Sequence, residues 1–125
     1  MRGKHIVLIE DEPNIAEAIS FILSREGVRV THSASGAGAL ALLQTAHPDV
    51  LVLDLMLPDR SGLEILAELR AVPALAALPV LMLTARGQHR DREAAERAGA
   101  SAFLAKPFAN ADLLAAVRGL ARGGA

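Results

Sequence analysis

Charged side chains directly follow three separate apolar runs of the sequence. They are Glu10 and Asp11 after residues 6–9, Asp54 after residues 50–53, and Lys106 after residues 103–105. In a parallel sheet the carboxyl ends of the strands lie along one edge, where ligands bind, so these groups are expected to converge. A hard divalent cation relieves the repulsion between closely packed carboxylates, while a lysine ammonium is free to hold an anion. The sequence therefore predicts a site for magnesium and a phosphoryl group.

Five short apolar runs alternate with longer segments of helical periodicity, which is typical of an α/β fold whose strands are buried on both faces. The runs predict strands over residues 6–9, 28–31, 50–53, 80–83 and 102–104. We expect a single-domain, flavodoxin-like (βα)5 fold: a doubly wound sheet of five parallel strands in the order 2-1-3-4-5 with right-handed crossovers. The domain is expected to span residues 1–122, with residues 123–125 as a flexible tail.

Capping and breaking residues predict where the helices begin and end. They are Pro13 in the first turn of the first helix, Ser35 and Asn110 as N-caps of the second and fifth, Pro48 and Pro73 after the second and third, and Gly99 as a left-handed cap after the fourth. The fourth helix, in the highly charged segment 90–98, is expected to be short, weakly anchored and mobile.

The composition excludes several classes of protein. A chain of 125 residues, 52% of them hydrophobic, has room for one core and is too short for two ordinary domains. The net charge is −1 and the basic residues are scattered, so the footprint of a nucleic-acid binder is missing. The absence of cysteine excludes disulfides and thiolate metal sites, and the apolar run after the basic start is too short for a signal sequence or a membrane span. We expect a cytoplasmic protein that binds neither nucleic acid nor membrane.

Asp54 ends an otherwise apolar run, where a buried carboxylate must be paired, metal-bound or neutralised. The residues that follow it, Met56, Pro58 and Gly62, predict a turn that leaves backbone amides free to face an anion. A carboxylate can attack phosphorus and form an acyl phosphate when a cation screens its repulsion with the phosphoryl oxygens. Asp54 is therefore the candidate nucleophile, and the structural alternative is an Asx-type turn.

The other candidates also have structural alternatives. The acidic run 10–12 could simply mark the start of a helix, because negative side chains are stabilised near the positive end of the helix dipole. Thr84 suits a strand, but its hydroxyl could donate to a phosphoryl oxygen, with the small Ala85 leaving the approach open. Lys106 could be a solvated loop residue. Alternatively, its ammonium could be a point charge for a phosphoryl group, with Pro107 fixing the backbone, through a cis peptide bond for example, and so orienting the lysine.

The order and spacing of these residues resemble the receiver domain of bacterial response regulators in two-component signalling, a domain of the chemotaxis-regulator-like superfamily. The resemblance covers essentially the whole chain. It depends on Glu10-Asp11-Glu12-Pro13, on residues 53–59 with Gly62, on Leu83-Thr84-Ala85, and on Gly99-Ala100 followed by residues 103–108. The resemblance implies that Asp54 accepts a phosphoryl group from a histidine kinase or a histidine phosphotransfer protein.

The resemblance also implies roles for the residues around Asp54. The implied metal ligands, for Mg²⁺ with Mn²⁺ as an alternative, are Glu10, Asp11, Asp54 and the backbone carbonyl of Met56. The implied phosphoryl-binding groups are Thr84, Ala85, Lys106 and the backbone of Met56.

A switch is implied as well. Phe103 would change rotamer when Thr84 moves, and this would alter the face made by the fourth helix, fifth strand and fifth helix, which contacts a downstream protein. The side chains of Met56 and Arg86 would set the lifetime of the acyl phosphate. Such a domain is a phosphoacceptor and not an enzyme in its own right, because it catalyses only its own phosphotransfer and slow dephosphorylation.

Two features depart from the family pattern. Glu10 stands where many receivers have aspartate, and its longer side chain could reach the metal through water. Residues 56–58 resemble the corresponding segment of the winged-helix transcription-factor subfamily, but residues 100–102 lack the acidic pair that is common in that subfamily. The salt-bridged dimer of that subfamily is therefore in question, and we expect a monomer or a weak homodimer.

Two other functions are compatible with parts of the pattern. One is a receiver-like binding module that signals without phosphorylation, although such modules usually lose one of the acids or the lysine. The other is a phosphatase of the haloacid-dehalogenase type, which would carry a second aspartate at the position of Met56. The last predicted helix reaches the end of the sequence, which leaves open a stand-alone domain or a piece of a longer regulator.

Overall fold

The computed structural model describes residues 1–85 and 89–123, in which strands and helices alternate strictly. The elements are β1 (His5–Ile9), α1 (Pro13–Ser24), β2 (Arg29–Ser33), α2 (Ala39–Ala46), β3 (Val50–Asp54), α3 (Gly62–Ala71), β4 (Val80–Ala85), α4 (His89–Ala98), β5 (Ala102–Lys106) and α5 (Asn110–Gly123). Arg86 and residues 124–125 of the predicted tail lie outside the described residues, and Gly123 is the last residue of α5. Within the described ranges, no helix combines the length and the apolar character needed to cross a bilayer.

The strands form one parallel sheet in the order β2-β1-β3-β4-β5, which confirms the predicted flavodoxin-like topology. β1 and β3 are neighbours, and the chain adds β2 on one side of them and β4 and β5 on the other. The direction of winding therefore reverses between β1 and β3. In open α/β sheets this reversal leaves a crevice at the carboxyl edge, and ligands bind there.

Side chains of the central strands alternate between two apolar cores, which explains why these strands are uninterrupted apolar runs in the sequence. Ile6 and Leu8 pack in the core that α1 and α5 cover, whereas Val7 and Ile9 pack in the core that α2, α3 and α4 cover. Of the residues of α4, Ala95 is buried. This agrees with the predicted weak anchoring of α4, and its mobility stays a prediction.

Four strands extend further toward their carboxyl ends than the apolar runs predicted. β2 ends at Ser33, β3 at Asp54, β4 at Ala85 and β5 at Lys106. Ladder hydrogen bonds are made by the backbone, so a polar side chain does not end a strand. Among the candidate site residues, Asp54, Ala85 and Lys106 are consequently the last residues of strands, and Thr84 is the residue before the last of β4.

Several predicted helix boundaries are confirmed. Pro13 is the first residue of α1, and α3 ends at Ala71, before Pro73. His47 follows α2 with a φ of 47°, so the residue before Pro48 leaves the helical region as expected. Gly99 follows α4 with a φ of 102°, a conformation that glycine adopts without steric cost.

The prediction that Ser35 caps α2 is wrong. A turn separates Ser35 from the helix, and the N-cap position is taken by Gly38, which has a φ of 73°. The Ser35 hydroxyl accepts a hydrogen bond from the Ala37 amide at 3.0 Å and donates to Asp59 Oδ2 at 2.8 Å. Ser35 therefore stabilises the turn before α2 and links it to the loop after β3.

The prediction that Asn110 caps α5 is also wrong. The helix begins at Asn110 itself, and its first turn is closed by a hydrogen bond of 3.1 Å from the Leu113 amide to the Ala109 carbonyl. Ala109 therefore occupies the N-cap position, and Asn110 lies in the first helical turn.

Candidate functional site

The predicted site residues meet at the carboxyl edge of the sheet. Glu10 and Asp11 directly follow β1, Asp54 ends β3, Thr84 and Ala85 end β4, and Lys106 ends β5. In the strand register, Asp54 is the partner of Leu83 and Ala85 is the partner of Lys106. The parallel topology thus converts positions far apart in the sequence into one site.

Lys106 forms ion pairs with two buried carboxylates. Its Nζ atom lies 2.6 Å from Glu10 Oε1 and 3.1 Å from Asp54 Oδ2. The side chains of Glu10 and Asp54 are 0% and 4% exposed, and that of Lys106 is 22% exposed. The structural alternative of a solvated loop lysine is therefore wrong. The Lys106–Pro107 peptide bond is cis, as the sequence suggested.

The Glu10 carboxylate is compensated incompletely. Its Oε2 atom accepts a hydrogen bond of 3.1 Å from the Glu12 amide. Its buried Oε1 atom contacts the Lys106 ammonium and has no other partner among the described residues. Burial raises the pKa of Glu10, and the neighbouring Asp54 carboxyl raises it further, while Lys106 and the Glu12 amide oppose these effects.

The ammonium of Lys106 stays charged in this environment. Burial alone would lower its pKa, but the nearby carboxylates of Glu10 and Asp54 together outweigh burial and raise it. One ammonium is nevertheless shared between two buried carboxylates, with a third acid, Asp11, close to them. The site therefore carries excess negative charge that a bound cation would balance.

Asp54 makes the Asx-type turn that was its structural alternative, and its role as a nucleophile stays a prediction. Its Oδ1 atom accepts a hydrogen bond of 3.2 Å from the Met56 amide two residues later, which is the geometry of an Asx-type turn. Its Oδ2 atom faces Lys106. The turn therefore orients the carboxylate, and the lysine holds its second oxygen.

The residues present fit a divalent cation. Glu10, Asp11 and Asp54 each offer a carboxylate oxygen, and these atoms lie within 4.8 Å of one another. An all-oxygen donor set is the kind that Mg²⁺ and Mn²⁺ prefer. The buried Oε1 atom of Glu10 contacts only the Lys106 ammonium among the described residues, so a bound ion would give it a second positive partner. The backbone amide of Met56 donates a hydrogen bond to Asp54. The role of the Met56 carbonyl as a metal ligand stays a prediction.

Comparison with known proteins agrees with this geometry. The family model described as the response regulator receiver domain matches residues 6–118. The chain belongs to this family. Such domains are signalling modules of two-component systems, so the family resemblance of the sequence is confirmed.

Individual relatives show the same likeness. TcrX of Mycobacterium tuberculosis, named as a transcriptional regulatory protein, is 40% identical over 117 residues, which cover 94% of this chain and 49% of TcrX. This chain thus spans about half the length of the curated relatives it matches. A protein of Chloroflexus aurantiacus J-10-fl, named as a response regulator, superposes with a TM-score of 0.92 at 32% identity, covering 97% of this chain and 99% of that one. The chemotaxis response regulator CheY4 of Vibrio cholerae gives a TM-score of 0.88 at 28% identity, covering 94% and 98%.

In this receiver domain Thr84 and Phe103 lie on one face of the sheet. Phe103 is the strand partner of Met82, and Met82 and Thr84 are two residues apart in β4, so their side chains point the same way. Thr84 is buried at the tip of β4, Ala85 beside it is exposed, and Phe103 is half-buried. This places Thr84 and Phe103 at a cross-strand diagonal, within reach of long side chains.

Sequence reasoning missed three contacts around the receiver site. Arg92 of α4 lies over the Phe103 ring, with its guanidinium carbon 5.1 Å from the ring centre. Asp59 accepts hydrogen bonds from the Gly36 amide, at 3.0 Å, and from the Ser35 hydroxyl, and these hold the pKa of Asp59 below its ordinary value. His32 of β2 contacts the Glu10 main chain. Arg92, Asp59 and His32 are exposed, and each contacts a residue that is at least 11 positions away in the sequence, so no local pattern predicts these contacts.

An apolar cavity of about 490 Å³ adjoins the site. It lies between α1 and the start of α5, and it is lined by Asn14, Ile15, Ala18, Lys106, Pro107, Phe108 and Asn110. Lys106 belongs both to this cavity and to the acidic site. The cavity therefore opens directly beside the phosphoacceptor candidate.

Proposed function

We propose that this receiver domain accepts a phosphoryl group on Asp54 from the phosphohistidine of a histidine kinase or a histidine phosphotransfer protein, in a reaction that depends on Mg²⁺. The observation that carries the proposal is the setting of Asp54. Its carboxylate is 4% exposed at a strand end, 3.1 Å from the Lys106 ammonium and next to two more acids. The turn and the ion pair orient this carboxylate at the carboxyl edge of the sheet, where ligands of open α/β sheets bind.

The ion would be held by Glu10, Asp11, Asp54 and the Met56 carbonyl. When bound, Mg²⁺, or Mn²⁺ in its place, would neutralise negative charge on the phosphoryl oxygens. The carboxylates of Glu10, Asp11 and Asp54 carry more negative charge than Lys106 balances. A bound cation would neutralise this excess as well as the charge on the phosphoryl group.

The protein's own groups do the remaining work. The Asp54 carboxylate attacks phosphorus, the phosphorus–nitrogen bond breaks, and its electron pair returns to the donor imidazole. Lys106 is already charged and already oriented by Glu10 and Asp54, so its ammonium can pair with a phosphoryl oxygen without reorganisation.

Thr84 and Ala85 would complete the phosphoryl site. The Thr84 hydroxyl donates to a phosphoryl oxygen, and the exposed Ala85 leaves the approach open. Movement of Thr84 toward the phosphoryl group vacates space on the sheet face that it shares with Phe103. Phe103 then turns inward and changes the surface of α4, β5 and α5, which contacts a downstream protein.

The phosphodonor protein would cover the apolar cavity beside Lys106. A donor histidine must reach Asp54, and Lys106, which lines the cavity, lies 3.1 Å from Asp54 Oδ2. A partner helix with an apolar face matches a cavity formed largely by Ile15, Ala18 and Phe108. Hydrolysis would later remove the phosphoryl group, at a rate that depends on Met56, whose side chain is 68% exposed two residues after the acceptor.

The direct test is intact mass spectrometry after incubation with Mg²⁺ and acetyl phosphate. We expect the wild type to gain one phosphoryl group, and we expect no gain when a chelator is present during labelling. Asp54→Asn keeps an oxygen that can accept the Met56 amide, so it should fold like the wild type by circular dichroism and yet remain unlabelled.

Two outcomes would contradict the proposal. Labelling of Asp54→Asn to the wild-type extent would place the acceptor elsewhere. A folded wild type that stays unlabelled by acetyl phosphate and by phosphohistidine donors would favour the alternative function, a binding module that works without phosphorylation.

A further inference from the structure

His32 contacts the main chain at the start of the acidic site. It is the residue before the last in β2, and its Nε2 atom lies 2.7 Å from the Glu10 carbonyl oxygen. A carbonyl oxygen can only accept a hydrogen bond, so Nε2 must be the ring nitrogen that carries the proton. The next residue, Ser33, accepts the Glu10 amide at 3.1 Å through its own carbonyl. Two consecutive residues of β2 therefore hold both main-chain groups of Glu10.

This contact fixes the peptide unit that joins Glu10 to Asp11. A peptide unit is planar, so holding its oxygen also sets the direction of the Asp11 amide and Cα atom. The side chain of His32 thus acts on the backbone from which the Asp11 carboxylate extends.

Asp11 is the member of the acidic cluster that most depends on such support. Glu10 is held by the Glu12 amide and Lys106, and Asp54 by the Met56 amide and Lys106. The Asp11 carboxylate has no hydrogen-bond or ion-pair partner among the described residues. Its position within 4.8 Å of the other carboxylate oxygens therefore follows from its backbone.

We propose that His32 is a positioning residue for the divalent-cation site: its Nε2–H group fixes the Glu10–Asp11 peptide and so keeps the Asp11 carboxylate within reach of the ion. The inference rests on the proposed Mg²⁺-dependent function. It assigns β2 a role in metal binding, although none of the proposed metal ligands belongs to β2.

The test is Mn²⁺ binding to the full chain, measured from the electron paramagnetic resonance signal of free Mn²⁺ without any phosphodonor. His32→Ala removes the donor, and His32→Asn places its amide nitrogen near the position of Nδ1. His32→Gln places its amide nitrogen near the position of Nε2. We expect the Ala and Asn variants to bind about 10-fold more weakly, because removal of groups that orient metal ligands typically costs 10- to 100-fold in affinity. His32→Gln should recover most of the affinity.

Two controls separate positioning from general destabilisation. His47→Asn replaces an exposed histidine at the opposite edge of the sheet, where asparagine tolerates the positive φ of 47°, and should leave Mn²⁺ affinity unchanged. Thermal unfolding without metal reports the effect of each His32 variant on the fold alone. Asp11→Asn gives the loss of affinity that corresponds to removal of the carboxylate itself.

The outcomes are distinct. Wild-type affinity in His32→Ala, or equal losses in the Ala and Gln variants, would overturn the role of Nε2 while leaving the proposed function intact. Unchanged affinity in Asp11→Asn would also overturn it. A wild type that binds no Mn²⁺ would overturn both the inference and the metal dependence of the proposed function.

Discussion

Gly62 packs directly against the main chain of Asp54. A Cβ atom at Gly62 would lie 2.4 Å from the Asp54 carbonyl oxygen and 3.0 Å from the Leu55 Cα atom. The Gly62 amide also donates to the Leu55 carbonyl at 2.9 Å. The first residue of α3 thus packs against the backbone of the proposed phosphoacceptor, and only glycine fits there because a Cβ atom would clash with that backbone.

We predict that Gly62→Ala destabilises the fold by about 1–3 kcal/mol, the usual cost of overpacking against atoms that cannot move aside. Because the displaced atoms are the backbone of Asp54, the variant should also lose phosphoacceptance. Chemical denaturation and acetyl phosphate labelling measure the two effects. Gly119→Ala in α5 is the matched control, since nothing lies within 4 Å of its Cβ position; it should stabilise the fold by about 0.5–1 kcal/mol. Equal stability changes in the two variants would refute the role of the contact.

Glu10→Gln should stabilise the metal-free domain at neutral pH. The pKa of Glu10 is raised above its ordinary value of 4.5, chiefly by burial, so the folded state binds more protons than the unfolded state just above that pH. The contribution of Glu10 to the free energy of unfolding is therefore fully present below pH 4.5. It falls as the pH rises through the raised pKa of the folded state, because the buried carboxyl must then ionise. The neutral glutamine avoids this cost.

Urea denaturation of both proteins across this pH range, with and without Mg²⁺, measures the effect. We expect the advantage of Glu10→Gln to disappear at acid pH and to reverse when Mg²⁺ is added, because the carboxylate is a proposed ligand. A variant less stable than the wild type at neutral pH without metal would show that the ion pair with Lys106 outweighs the burial of Glu10.

The fold was predictable because its signals are local and repeated. Each buried strand is an apolar run, and residues such as Pro13 and Gly99 mark where helices begin and end. Alternation and handedness then indicate a doubly wound sheet, of which 2-1-3-4-5 is one of the common strand orders. The convergence of Glu10, Asp54 and Lys106 was predictable for the same reason, since the ends of parallel strands share one edge.

The wrong cap at Ser35 and the missed contact of His32 both concern residues that pair with others far away in the sequence. Ser35 has the right chemistry for an N-cap, but its hydroxyl binds Asp59, and Asp59 comes near it only after β3 is placed in the sheet. The hydrogen bond from His32 to Glu10 likewise depends on the register of β1 and β2. Such contacts carry no periodic or spacing signal, so the sequence could not reveal them.

Arg92→Ala should change the rotamer balance of Phe103 before any phosphorylation. The guanidinium of Arg92 covers the ring, and a partly exposed cation–π contact contributes about 0.5–1 kcal/mol. Its loss should raise the population of inward-turned Phe103 by about two- to fivefold, which follows from the same energy. Fluorine NMR of fluorophenylalanine-labelled protein reports the two rotamers. Arg92→Lys, which keeps a cation on the same stem, should show a smaller change, and an unaltered spectrum in Arg92→Ala would separate Arg92 from the switch.

Ala18→Glu should block phosphotransfer from a kinase without affecting chemistry at Asp54. Ala18 is exposed on α1 and lines the apolar cavity beside Lys106, so a carboxylate there would meet the apolar face of a docked donor helix. Glutamate is a good helix former, so the fold should be unchanged.

The comparison of two phosphodonors isolates docking from catalysis. We expect Ala18→Glu to be labelled by acetyl phosphate at the wild-type rate and by a phosphorylated histidine kinase at least 10-fold more slowly, which corresponds to about 1.4 kcal/mol of lost binding. Ala41→Glu, at an exposed alanine of α2 on the other side of the sheet, is the matched control and should accept phosphoryl groups from both donors normally. Equal slowing with both donors would mean that the substitution disturbs the Lys106 site itself, because a docking defect cannot affect a donor as small as acetyl phosphate.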